Sequence, residues 1–369
     1  MLKKLNLNSG MIPVISVVFG LILGAIIMLV FGYNPLNGYR SLFTSALGTP
    51  RSIGETLRQA TPLIFTALGF SVANSAGFFN IGLSGQALCG WVASTWFALS
   101  NPDMPRFIML PLAVLIGALA GAMAAAIPGV LRAFFGTSEV IVTIMLNYVF
   151  LYVGNHLLHN VFSREIMTSM DSTKKIGANA TLRADWLTDL AGGSRLNLGI
   201  FFALIGLVIV WFLMKKTTLG FEIRGVGINP YASEYAGISS KRTIILSMII
   251  SGALAGLGGV IEGLGTFENF FAQGASLSIG YDGMAVSLLG SGSAIGILLA
   301  ALLFSVLKIG SAGMNIAGIP PEIVNVVIAS IIFFVGVKYL IQLILSKRPA
   351  RKVKDNPKDK VVISEGGEL

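Results

Sequence analysis

Residues 59–102 read QATPLIFTALGFSVANSAGFFNIGLSGQALCGWVASTWFALSNP, from Gln59 to Pro102 without one Asp, Glu, Lys or Arg. A helix needs about 20 apolar residues to cross a hydrocarbon layer of ~30 Å. The stretch therefore holds two such helices, at 60–77 and 81–100, hinged at Gly77-Phe78-Phe79-Asn80. The whole chain agrees. Of its 369 residues 54% are hydrophobic and 12% charged, and mean hydropathy is +0.80, whereas a soluble domain carries roughly 25% charged residues. A water-facing surface is not built from this composition, so lipid is the main solvent and a single helical bundle is expected.

Outward from that stretch, further spans fall at 11–31, 107–127, 138–158, 196–214, 243–263, 277–291, 294–310 and 321–345. The expected fold class is all-α integral membrane, with about ten transmembrane helices in a domain covering 1–346. Lys3 and Lys4 precede an apolar run longer than a signal-peptide core, with no small-residue cleavage site after it, so the run reads as a retained first helix. The net charge of +9 would point to nucleic acid in a soluble protein. Here it flanks apolar spans, the pattern of an orientation signal; Lys338 alone lies inside the last span. The basic loop 215–242 and the basic, polar tail 347–369 are expected in the cytoplasm with both termini. The longer segment 159–195, with Asp171, Asp185 and Asp189, is expected as an extracytoplasmic loop. The location is then the cell membrane, multi-pass, with no nucleic-acid partner. A single cysteine, Cys89, excludes an intrachain disulfide and reads as packing.

Asn80-Ile-Gly-Leu-Ser-Gly-Gln-Ala87 and Ser278-Ile-Gly-Tyr-Asp-Gly-Met-Ala285 share x-I-G-x-x-G-x-A. Ser138-Glu139-Val-Ile-Val and Pro321-Glu322-Ile-Val-Asn also correspond, each placing a carboxylate at a helix start, where it complements the exposed N–H groups. In a ten-span order the paired motifs run in opposite directions. This predicts inverted repeats, spans 2–5 against 7–10, a plan that supports alternating access in transporters. The second copy is shorter, and its eighth span reads as full-length, partial or re-entrant.

Thr218 to Gly259 reads TLGFEIRGVGINPYASEYAGISSKRTIILSMIISGALAGLGG. Asn229-Pro230 predicts a helix start and Gly237 a stop. A short helix across the membrane face is a lever that docks onto a motor subunit. Arg224, Gly227, Asn229, Pro230, Tyr235 and Gly237 are the candidate coupling residues. With Ala232, Ala236, Ile238 and the following Ser251, Gly252, Ala255 and Gly256, this segment resembles the permeases of ABC importers for ribose, branched-chain amino acids and nucleosides. Phe79-Asn-Ile-Gly-Leu-Ser-Gly-Gln86 and Glu139-Val-Ile-Val-Thr-Ile-Met-Leu-Asn147-Tyr148 are similar to the nucleoside branch. The resemblance spans most of residues 11–345. It implies a permease subunit that moves purine or pyrimidine nucleosides inward. A substrate-binding lipoprotein delivers the cargo, a separate cytoplasmic ATPase uses ATP and Mg, and a second, paralogous permease completes the pair. This chain itself has no G-x-x-x-x-G-K-[ST] loop, so no cofactor and no enzymatic site are expected in it.

A nucleoside presents a flat base and a polyhydroxyl sugar, which aromatic faces and amides suit. Candidate pathway residues are Asn74, Phe78, Phe79, Asn80, Gln86 and Asn147 in the first half. In the second they are Glu262, Asn269, Phe270, Gln273 and Asp282, with Phe271 and Glu268 nearby; Tyr148 stands beside Asn147 in the first half. Each also has a plain structural reading: Phe facing lipid, amides and carboxylates capping helices or solvated at the interface. His156 and His159 lack the further ligands a metal needs, so no metal site is expected. The residues alone leave open a sugar or branched-chain amino acid permease and an ion-coupled secondary transporter, although no carboxylate stands clearly at mid-membrane for the latter. A membrane-embedded enzyme lacks a reactive constellation.

Overall fold

The computed structural model describes residues 11–336. Lys3, Lys4, Lys338, the 337–345 part of the last expected span and the 347–369 tail lie outside the described residues. The helices are α1 (Met11–Val30), α2 (Pro35–Leu47), α3 (Pro50–Ser75), α4 (Leu83–Ser100), α5 (Arg106–Phe135), α6 (Glu139–His156) and α7 (Asp185–Leu190). They continue with α8 (Gly199–Lys216), α9 (Thr218–Ile228), α10 (Pro230–Tyr235), α11 (Ser240–Val260), α12 (Ser278–Leu289), α13 (Ala294–Ile316) and α14 (Pro321–Gly336). Wider π-type turns extend α6 through Leu157–Val161 and α11 through Ile261–Phe267. A small antiparallel ribbon, β1 (Met167–Ser169) with β2 (Ser172–Thr173), lies between α6 and α7.

Among the described residues five helices are long and apolar enough to cross a bilayer: α5, α6 with its extension, α8, α11 with its extension, and α13. They coincide with the expected spans 107–127, 138–158, 196–214, 243–263 and 294–310. The other five expected spans fall on α1, α3, α4, α12 and the described part of α14. At 277–291 the partial alternative for the eighth span is the one the helix length fits. The helix there, α12, has 12 residues, about 18 Å at 1.5 Å per residue, too short to cross alone. It is a half-length helix approached by non-helical chain over 268–277. Three further departures have local causes. The second span starts at Pro50 because Thr49 accepts from the Ser52 N–H and Pro50 fits the first turn. The fourth runs on to Phe135, where Gly136, at φ 65°, turns the chain left-handed. The interruption after α3 covers 76–82 rather than 77–80 alone. The predicted helix after Asn229-Pro230 is α10, while α2 and α9 were not foreseen.

The buried centre is α3, whose residues from Thr61 to Ala73 are all buried among α8, α11, α12 and α13. Beside it α5 and α11 press together along Gly117, Gly121 and Ala125 on one helix and Gly252 and Gly256 on the other. A Cβ at Gly252 would stand 2.3 Å from the Gly121 carbonyl oxygen, and one at Gly256 would stand 2.5 Å from that of Gly117. Between membrane helices, where lipid removes the hydrophobic drive, such backbone approach is what packing is made from. The two x-I-G-x-x-G-x-A motifs also meet: a Cβ at Gly280 would fall 2.3 Å from the Ser84 nitrogen. From this meeting point α4 rises to Trp91, which bonds to the Asn269 carbonyl. By contrast α12 descends to Gly292, whose carbonyl accepts from Ser71 near the far end of α3.

Over-filling so close a contact costs about 1–3 kcal/mol. Gly256→Val should therefore lower the Tm of the purified protein in detergent by several degrees. Leu119→Val, at an exposed position of α5, should leave it unchanged. An unchanged Tm for Gly256→Val would contradict the α5–α11 contact.

Candidate functional site

The site is organised by the two helix interruptions, 76–82 and 268–277, because a chain that leaves helical geometry frees N–H and C=O groups that lipid does not satisfy. Around the first, buried amides do that work. Asn80 accepts from the Gly82 N–H at 2.9 Å and donates to the Gln86 side-chain Oε1 at 3.0 Å and to Ser251 Oγ at 2.9 Å. Asn147 of α6 accepts from the Gly85 N–H at 2.8 Å and donates to the Ile81 carbonyl at 2.9 Å. The Thr143 hydroxyl accepts from the Ile81 N–H. Asn80, Gln86, Asn147, Thr143 and Ser251 are all buried. Three predicted pathway residues, Asn80, Gln86 and Asn147, thus gather at the start of α4 and spend their polar atoms on the chain itself.

The second interruption is pinned from outside the bundle. Glu268, at φ 61°, takes an ion pair from Arg183 at 3.1 Å and a bond from the Thr181 hydroxyl at 2.7 Å. Asn269 donates to Ser172 Oγ, and the Phe270 N–H donates to Thr173 Oγ1, so the β1–β2 ribbon holds this stretch. Asn155 of α6 makes a two-way bond with the backbone of Gln273, 2.9 Å in each direction. Trp91 stacks on Phe267 and meets Phe270 and Phe271 edge-on.

A row of charge runs behind these breaks. Glu262, 5% exposed, lies in the π-type turn of α11 with no direct ion-pair partner among the described residues. Arg58, which bonds Thr266 on the next turn, and Lys308 are near enough for their charge to act on it. Arg58, buried in α3, bonds Glu55 at 2.7 Å and Thr266 at 3.4 Å. Asp282 of α12 pairs with Lys308 of α13, and Lys308 also reaches Ser278 Oγ at 3.5 Å. Ion pairs inside a membrane bundle are costly and concentrate where function needs them. Arg58 and Lys308 were missed in the sequence. The signal was present for Lys308, the one ionisable residue between Ala294 and Ile316.

The remaining predicted residues lie elsewhere. Asn74 is exposed on the last turn of α3. Phe78 is buried beneath the Arg132 guanidinium, 5.9 Å from the ring centroid, and Phe79 meets Phe70 edge-on. They sit at the α9–α10 end, where a Cβ on Gly227 would touch the Ser75 carbonyl. The Phe78-Phe79 and Phe270-Phe271 pairs therefore belong to opposite ends of the bundle, not to one lining. Glu139 starts α6 as expected and also pairs with Arg132 at 3.4 Å across the turn. Glu322 lies in the first turn of α14. His159 pairs with Asp171 and His156 with Asn160. No group of three or more His, Cys, Asp or Glu suited to a metal occurs among the described residues.

At the α9–α10 end, Asn229 caps α10 by accepting from the Ala232 N–H at 3.1 Å, Pro230 takes the first turn, and Gly237 leaves at φ 85°. Arg224 Nη1 is buried without a hydrogen-bond partner among the described residues. Ile228 and Tyr231 stand in the open, and Tyr235 is 96% exposed.

Residues 52–336 match the family model described as branched-chain amino acid transport system, permease component. The chain is 58% identical over 352 residues to the nucleoside ABC transporter permease protein NupB of Lactococcus lactis subsp. cremoris, covering 95% of this chain and 97% of that one. It is 46% identical over 343 residues to the guanosine ABC transporter permease protein NupP of Bacillus subtilis, covering 93% and 97%. A more distant relative is the nucleoside ABC transporter permease protein NupC of the same Lactococcus, at 28% over 272 residues, 72% of this chain and 84% of that one. No solved structure matches the chain. With apolar crossing helices, broken helices sealed from within and a family match over most of its length, the chain belongs to the branched-chain amino acid transport system permease components, as a membrane-embedded transport subunit.

Proposed function

We propose that this chain is the transmembrane permease subunit of an ABC importer that moves nucleosides inward. The observation that carries the cargo is near full-length similarity to two permeases named for nucleosides and guanosine. A separate cytoplasmic ATPase, using ATP and Mg, supplies the energy, and a substrate-binding lipoprotein delivers the nucleoside. A second permease completes the pair. The presence of both NupB and NupC in one Lactococcus, each similar to this chain, supports a paralogous partner.

In this reading the α9–α10 end and both termini face the cytoplasm, residues 1–346 form the permease domain, 347–369 a cytoplasmic tail, and 159–195 an extracytoplasmic loop. The basic residues of 215–242 favour that orientation. The lever is α10. Its exposed Tyr231 and Tyr235 dock onto the ATPase, and Arg224, Gly227, Asn229, Pro230 and Gly237 shape and orient it. Motion enters the bundle where Gly227 lies against the backbone of Ser75, beside the 76–82 break. The α4 and α12 starts meet in the core and leave in opposite directions, as inverted repeats 2–5 and 7–10 require. Rocking one half against the other would open the site to each side in turn. The Asp282–Lys308 pair ties half-helix α12 to α13 through that movement.

Three measurements check this. In proteoliposomes holding the full complex, ATP-dependent uptake should be competed by unlabelled guanosine or uridine and not by ribose or leucine. Competition by ribose or leucine alone would overturn the cargo. Tyr235→Ala should cut uptake about tenfold, the loss expected of an aromatic anchor in an interface, with Tm unchanged because the side chain packs against nothing in this chain; undiminished uptake would remove α10 as the lever. For the ion pair, Lys308→Met should cost roughly 3 kcal/mol by stranding Asp282, visible as a lower Tm. Lys308→Met with Asp282→Asn should recover much of it. No recovery would mean that the pair is not what holds α12.

A further inference from the structure

Lys308 carries a charge well inside a crossing helix. In α13, of 23 residues, it stands about 21 Å from the Ala294 end and about 12 Å from the Ile316 end. At 100° per residue it lies on the opposite side of the helix from Leu299, which is 62% exposed. One turn before it, Phe304 and Ser305 are fully buried. The side of α13 that carries Lys308 therefore faces the bundle rather than lipid.

There Lys308 pairs with Asp282 and reaches Ser278 Oγ, both on the first turns of half-helix α12. The pair is not closed over. The side chains of Lys308 and Asp282 keep 24% and 16% of their surface, and Ser278 is exposed. The opening is short, because Ala285 and Leu289, one and two turns beyond Asp282 on the same side of α12, are buried.

Hydrogen-bonding capacity is left over at this place. Lys308 takes Oδ2 of Asp282, and Oδ1 has no hydrogen bond among the described residues. Ser276 Oγ, two residues before Ser278, and Ser305 Oγ, one turn before Lys308, are buried without a partner among the described residues. Such atoms are exceptions in a folded chain and mark a water or a ligand. An ion pair left open at this depth suits a polar passage and not acyl chains, and the start of a half-helix is where broken-helix transporters hold their cargo.

We propose that Asp282, Lys308 and Ser278 form the subsite that holds the ribose of the passing nucleoside. The free Asp282 oxygen accepts from the vicinal ribose hydroxyls, as a carboxylate does for the ribose of a bound dinucleotide. The Lys308 ammonium and the Ser278 hydroxyl donate to sugar oxygens. This rests on the nucleoside-permease reading and adds to it the part of the cargo that is recognised. Purine and pyrimidine nucleosides share that sugar, so the subsite passes both and selects for the diol.

The test uses the complete transporter in proteoliposomes and compares turnover at saturating cargo, since delivery sets the KM in this reading. The unsubstituted transporter should carry 2′-deoxyguanosine about tenfold more slowly than guanosine, the loss of one hydrogen bond to a charged group. Lys308→Met with Asp282→Asn should carry both at the lower rate, within twofold of each other, even where its Tm has recovered. Equal turnover of the two nucleosides by the unsubstituted transporter would overturn ribose recognition. So would a double variant that regains guanosine turnover together with its Tm, because the pair would then serve stability alone. Access is read separately on a Cys89→Ala background, with no demand on the ion pair. A membrane-impermeant thiol reagent should modify Ser278→Cys at least tenfold faster than the lipid-side control Leu299→Cys, and saturating guanosine should slow it. Labelling no faster than at the control would overturn the open recess. If the unsubstituted transporter moves no nucleoside while Ser278→Cys labels fast, the cargo reading is what fails and the polar recess stands.

Discussion

Hydrocarbon offers no hydrogen bonds, so a chain that interrupts its helices within a membrane bundle must satisfy the freed backbone groups from inside. Everything distinctive here follows from how that is done twice. At 76–82 side chains do it: Asn80 closes on Gly82 and Gln86, and Asn147 reaches from α6 to bind both Gly85 and Ile81. At 268–277 the surrounding chain does it: the β1–β2 ribbon, Arg183, Trp91 and Asn155. The two helix starts that result lie against each other because Gly280 has no side chain to hold Ser84 away.

This arrangement commits the buried amides to holding the helix break. Asn80, Gln86 and Asn147 have amide chemistry suited to a nucleoside, yet Asn80 and Asn147 bond the broken backbone and Gln86 bonds Asn80. Charge is segregated in the same way. Arg58, Glu262, Asp282 and Lys308 are clustered among α3, α11, α12 and α13, where neighbouring opposite charges offset a desolvation cost that none would bear alone. On the lever, Tyr231 and Tyr235 face outward.

Much of the fold was legible in the sequence because hydropathy and small-residue patterns report directly on lipid and close packing. The Gln59–Pro102 stretch placed α3, the break and α4, and Asn229-Pro230 placed the start of α10. At 277–291 the sequence left a full-length and a partial helix both open, because an apolar run of that length does not reveal whether it is one crossing helix or extended chain feeding a half-helix. That depended on partners distant in sequence, such as Asn155 and Thr173. The site was legible in part for the same reason. The glycine motifs marked where backbones meet, and Asn80 and Asn147 were found beside them. Yet Phe78 and Phe270, alike in local sequence, lie at opposite ends, and Arg58 and Lys308 acquire meaning only once Glu262 and Asp282 are near.

The most direct measurement is hydrogen–deuterium exchange at the amides of Ile81, Gly82, Gly85 and Gln86 in the assembled transporter. If the break is sealed by Asn80, Thr143 and Asn147, these amides exchange as slowly as the interior of α5, and Asn147→Ala speeds Gly85 at least about tenfold, the loss of one protecting bond of about 1.4 kcal/mol. Exchange in the unsubstituted protein as fast as in the exposed 163–165 segment would contradict a core built around a sealed helix break.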